Sequence, residues 1–192
     1  QGSLQVEMLA AARRQGAVAT RIPGRAEALW RELAAGHPVV VLQNLGLSWA
    51  PSWHYAVVVG YDAQADTVLL RSGPMKRQAL SLRTFMYTWN RSERWAFVTT
   101  RPGQLSVTAT EADTVQALVA LERNVPAPAA VQAYRAGVAR WPANATLAMG
   151  LRRYSPPPTA GVPPLPIHSR PWRASFARSR TSSSGAAPCR AR

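Results

Sequence analysis

The sequence predicts an α+β fold over residues 1–100, then a helical hairpin over 111–151, then a disordered tail over 152–192. Three observations carry that expectation. Short β-branched runs alternate with amphipathic helical periods through the first hundred residues. From Glu111 to Leu151 only helical spacing remains. From Arg152 onward proline, arginine and serine take over.

The elements follow in order. Leu4, Met8, Ala11, Ala12 and Gln15 recur at helical spacing, and Gly16 supplies a stop. Ala17–Ile22 has the composition of a short strand. A second helix is expected from Ala26 to Ala35, with Leu29, Trp30 and Leu33 on one face and Gly36 ending it. Pro38–Leu42 and His54–Tyr61 are valine-rich runs of the kind found in buried central strands. Asp62–Asp66 is a polar turn, and Thr67–Leu70 returns as a hairpin partner. Ser81 can cap a helix bearing Leu82, Phe85, Met86 and Trp89, and Trp95–Thr99 closes the zone as a strand. Pro102-Gly103 opens a linker over 101–110. Thr110 and Asp113 then have the spacing of a helix-start box.

Composition excludes several function classes. The 192 residues suffice for one domain and a smaller element. The chain opens on Gln1, which reads as a processed or partial chain with its upstream part missing. Lys76 is the only lysine among 23 basic residues, a bias expected of a GC-rich, bacterial genome. The net charge of +14 suggests nucleic acid, but its distribution argues otherwise. Residues 1–150 hold 15 Lys/Arg and nine Asp/Glu, whereas residues 151–192 hold eight Arg and no acid. More than half of the excess is therefore in the tail, and no base-reading pattern accompanies it, so no specific nucleic-acid partner is expected. The single cysteine, Cys189, excludes an internal disulfide and paired-cysteine zinc sites. Without a phosphate-binding glycine loop or metal-ligand cluster, neither cofactor nor metal is expected. No apolar run reaches 18 residues, so no membrane span is expected.

The candidate chemistry centres on His54. Side chains alternate along a strand, so His54, Ala56, Val58 and Gly60 share one face and Tyr55, Val57 and Val59 the other. His54 stands where that strand leaves the loop Ser48–Trp53. An imidazole there is held rigidly at a sheet end, a good position for a general base. The competing reading is a half-buried structural histidine bonded to a backbone carbonyl. Gln43 and Asn44 end the neighbouring strand and either bond a substrate backbone or simply terminate the strand. Trp49 and Trp53 flank the loop and either line a substrate groove or pack over the core edge. His37, before a proline, reads as a loop residue.

The order of elements, with Gly36-His37-Pro38-Val39-Val40-Val41-Leu42 and then His54-Tyr55-Ala56-Val57-Val58-Val59-Gly60-Tyr61-Asp62, resembles the double-glycine (bacteriocin-processing) leader peptidases. The resemblance covers roughly residues 1–100. It implies a papain-like antiparallel sheet with flanking helices, incomplete here, and hydrolysis of a peptide or protein substrate. It also implies that His54 pairs with a cysteine on an upstream helix, whose companion glutamine would likewise precede Gln1. An envelope or exported location would suit such bacterial peptidases. In the family an Asp commonly ends the next strand; here that place reads Arg71-Ser72-Gly73, so Ser72 is a weak orienter, or a backbone carbonyl serves, or the ring has none. A serine forms one hydrogen bond but does not stabilise an imidazolium as a carboxylate does. Asp62 and Asp66 read as solvated turn formers. Cys189 follows His54 in chain order and sits in a tail with no expected fold, so it reads as an incidental thiol.

After the linker, Ala130, Tyr134, Gly137 and Pro142 fall as small, aromatic, small, proline, similar to the second helix of a tetratricopeptide repeat. Leu118 and Leu121 would lie on the first helix, and Pro126 and Pro128 crowd the turn between them. Asn144–Leu151 resembles the start of another repeat, which then stops. The abrupt turn to proline, arginine and serine after it has two readings: a frameshifted stretch of a GC-rich gene, or a basic interaction tail. Two functions follow for the whole: a cysteine-peptidase homologue with a protein-binding repeat, or a non-catalytic binding module of the same fold.

Overall fold

The computed structural model describes residues 3–73 and 75–154, all within one compact unit. The proline- and arginine-rich stretch from residue 155, with Cys189, lies outside the described residues. In chain order the elements are α1 (Ser3–Arg14), β1 (Val18–Arg21), α2 (Ala26–Ala34), β2 (Val39–Asn44), β3 (Trp53–Asp62), β4 (Thr67–Ser72), β5 (Met75–Ser81), α3 (Leu82–Asn90), β6 (Ala96–Thr100), α4 (Glu111–Glu122), α5 (Ala127–Arg140) and α6 (Ala145–Arg152). The strands form one antiparallel sheet in the order β1-β6-β2-β3-β4-β5.

Each face of the sheet buries what its strand pattern supplies. Val39, Val41, Ala56, Val58, Val68 and Leu70 pack with Leu29 of α2 and with Phe85 and Trp89 of α3. On the opposite face Leu42 and Phe97 pack with Trp95 and with Leu9 of α1. Gly16 and Gly36 end α1 and α2 with φ of 78° and 80°, a conformation that favours glycine. Ser81 caps α3, accepting a hydrogen bond from the Thr84 N–H. Thr110 caps α4, accepting from the Asp113 N–H at 3.1 Å and donating its hydroxyl to the Asp113 carboxylate at 2.6 Å.

Three details depart from the sequence expectation. β5 was not foreseen, because Met75-Lys76-Arg77-Gln78-Ala79-Leu80 holds no β-branched residue; its pairing with β4 creates the strand. The strict alternation from His54 to Gly60 breaks at a bulge between Val58 and Gly60, and Val59 is exposed. Finally, the segment read as a linker is tied down. The buried Glu32 carboxylate of α2 accepts from the Ser106 hydroxyl, from the Thr108 N–H at 2.8 Å and from the Thr108 hydroxyl at 2.6 Å. From the other side, the Arg140 guanidinium of α5 donates to the carbonyls of Ser106 and Val107.

The three C-terminal helices continue the same unit. Val18 of β1 is buried with Leu118, Leu121, Tyr134 and Leu147, so one apolar cluster spans sheet and helices. Tyr134 lies against Gly150, where a Cβ would sit 2.3 Å from the ring. Its hydroxyl donates to Glu122 at 2.8 Å, and Tyr154 and Arg153 also donate to that carboxylate.

Candidate active site

His54 enters the sheet opposite Gln43 of β2. Two and four positions further on, Ala56 and Val58 are buried, which fixes the strand behind the imidazole. The next strand, β4, pairs Arg71 with Val57 and therefore ends alongside the histidine. There the His54 Nε2 and the Ser72 Oγ are 2.7 Å apart. The sequence-expected base and orienter are thus hydrogen-bonded, and both are half-buried. With its proton on Nε2, the ring donates to Ser72 and keeps the Nδ1 lone pair free. Nδ1 has no partner among the described residues.

Gln43 and Asn44 are placed differently. Both are only 2% exposed, and their side chains serve the fold. The Gln43 amide donates to the Thr88 hydroxyl of α3 at 2.6 Å. The Asn44 Oδ1 accepts from the N–H groups of Gly46 and Ser52, both at 2.9 Å. Asn44 thereby closes the loop that leads into His54. Backbone bonds complete that loop as a hairpin: Leu45 N–H to Ser52 carbonyl at 2.8 Å, and a reciprocal pair between Leu47 and Ala50. A Cβ on Gly46 would meet the Ala50 carbonyl at 2.3 Å, so the close approach requires glycine. The Arg91 guanidinium donates to the Gly46 carbonyl and lies over the Tyr87 ring.

Trp49 sits at the tip of this hairpin, 81% exposed, and Trp53 beside His54 is 41% exposed. Asp62 and Asp66 occupy the turn at the far end of β3. Asp62 accepts from the Gln64 and Ala65 N–H groups, and Asp66 accepts from the Tyr61 hydroxyl at 2.9 Å.

One polar centre was not read from the sequence. Glu32 and His37 form a pair at 2.7 Å, and the glutamate side chain is fully buried. Burial opposes its charge, but bonds from Ser106, Thr108 and His37 outweigh this and hold the carboxyl below its ordinary pKa. The available signal was Glu32 three residues after Leu29, on the inward face of α2. No group of three or more metal-ligating side chains occurs among the described residues. No helix among them is long and apolar enough to cross a membrane.

Residues 10–97 match the model of the Peptidase_C39 like family. The matched segment, just under half of the chain, contains His54, Ser72 and the hairpin between β2 and β3. It supports a cysteine-peptidase-related, papain-like assignment for the sheet, with which the antiparallel architecture is compatible. No curated protein and no solved structure gives a significant match.

Proposed function

We propose that this chain carries the histidine half of a Cys–His peptidase centre, with His54 as general base and Ser72 as its orienter. The observation that supports it most is the 2.7 Å Nε2–Oγ hydrogen bond at the end of the sheet, within the segment that matches the family. The nucleophile is a cysteine from a segment preceding Gln1. Nδ1 takes the thiol proton, the thiolate attacks the peptide carbonyl, and the imidazolium returns the proton to the leaving amine. Water activated by the same nitrogen then cleaves the acyl-enzyme. Trp53, next to His54 in β3, and Trp49, exposed at the hairpin tip, are the side chains proposed to touch substrate.

The helices α4–α6 are the protein-binding part in this proposal, organised like a tetratricopeptide repeat. Tyr134 seated against Gly150 supports that reading, as does Gly137, where a Cβ would crowd Leu118 at 2.9 Å. A second reading, a binding module without catalysis, draws on the neutral Ser72 at the orienter position. Sequencing the codons upstream of Gln1 separates the two. A glutamine followed several residues later by Cys-Gly at a helix start supports the peptidase, and any other residue at that cysteine position overturns it.

A further inference from the structure

Helices α4 and α6 lie side by side and are tied at both ends. At their starts the Asn144 side-chain amide donates to the Glu111 carboxylate at 2.6 Å. At their ends Arg153 and Tyr154 donate to Glu122 at 2.7 and 2.9 Å. These ties hold the two helices parallel, so the groove between them is formed before any ligand arrives. Two adjoining cavities occupy that groove, and Val119 and Arg123 line both. Val115 lines one and Met149 the other, which makes the floor apolar. Val119 and Met149 are 38% and 62% exposed. Methionine adapts to side chains of different shape, which suits a surface that receives them.

The charges around the groove indicate what covers it. The acids at its two ends are engaged, Glu111 by Asn144 and Glu122 by Tyr134, Arg153 and Tyr154. Arg123, exposed where the cavities meet, has no hydrogen bond or ion pair among the described residues. An apolar floor with one uncommitted guanidinium at its middle fits a chain that presents apolar side chains on either side of a carboxylate. A terminal carboxylate would stop that chain at Arg123 and leave one cavity empty, so the acid is a side chain within the segment. The stretch beyond residue 154 holds no acidic side chain, and a second copy of this chain carries a net charge of +14, so neither is the natural source.

We propose that the groove between α4 and α6 binds an extended acidic segment of another protein, with a carboxylate side chain on Arg123 and apolar neighbours on Val119 and Met149. This rests on the reading of α4–α6 as the protein-binding part and not on the peptidase reading.

The test uses the whole 192-residue chain and fluorescein-labelled ten-residue peptide pools, blocked at the C-terminus. The pools carry leucine, phenylalanine or valine around a central glutamate or a central glutamine, with serine elsewhere. By fluorescence anisotropy at low salt the glutamate pool should bind about tenfold tighter than the glutamine pool, and added salt should shrink that advantage. Arg123→Gln should remove the advantage, and Met149→Gln should weaken both pools. Both side chains are exposed, so thermal melts matching wild type will show the variants folded. A glutamate advantage that survives Arg123→Gln belongs to other arginines of this basic chain and overturns the proposal. Tightest binding by a glutamine pool with a free C-terminal carboxylate overturns it too. Equal binding of the two blocked pools, weakened by Met149→Gln, overturns the acidic specificity while α4–α6 stand as the protein-binding part. Failure of every pool to bind overturns that reading together with the proposal.

Discussion

At the scale of single residues, the chemistry proposed for His54 rests on one neutral hydrogen bond. A serine fixes the ring but adds no charge to oppose an imidazolium. In a protein that carries the proposed upstream cysteine, Ser72→Ala should therefore lower turnover by roughly tenfold or less, about one hydrogen bond's worth. Ser72→Asp should raise turnover instead, since a carboxylate stabilises the protonated ring. Steady-state peptide hydrolysis by the three proteins decides this, and a Ser72→Asp variant slower than Ser72→Ala would contradict an orienting role. That His54 and Ser72 meet was legible in the sequence, because a family-like order of strands placed them at adjacent strand ends. Gln43 and Asn44 were not, because adjacency in sequence does not reveal that α3 and the hairpin claim their amides.

At the scale of elements, buried polar bonds position the site. Thr88→Val removes the partner of the Gln43 amide and leaves it buried and unpaired, a cost of about 1–3 kcal/mol. Urea unfolding should show that loss, and Gln43→Leu with Thr88→Val should recover part of it. Glu32 gives a pH signature. Its folded pKa lies below the unfolded value, so its contribution is present above the unfolded carboxylate range. It is lost as the pH falls through the lower, folded value. Glu32→Gln should flatten the acid side of the stability curve and leave neutral pH less stable than wild type. An unchanged acid limb in denaturant titrations from pH 7 to pH 3 would contradict that role. The helices were legible from their spacing and glycine stops, but β5 was not, since only the partner strand dictates it. The pinned stretch 101–110 was likewise hidden, because proline and glycine signal a turn without revealing that Glu32 waits beneath it.

At the scale of the whole molecule, sheet and helices share one core through Val18. Residues 3–154 should therefore unfold in one transition, with no separate melting of α4–α6. Gly150→Ala tests this, because the added methyl would press on the Tyr134 ring at 2.3 Å. Overpacking of this kind costs about 1–3 kcal/mol. The midpoint read by sheet and helix signals should fall together; a helix signal that melts alone would show two independent parts. The sequence pointed to a repeat after a linker. It could not show that Val18, an ordinary strand residue, joins the two. The central claim, that His54 is the base of a cysteine peptidase, is tested most directly by the thiol itself. In a protein extended to include the proposed upstream cysteine, thiolate absorbance against pH should give a thiol pKa well below the free value of about 8.5. His54→Ala should return it toward that value and abolish peptide turnover with folding intact. If His54→Ala leaves both the thiol pKa and turnover unchanged, His54 is not the base.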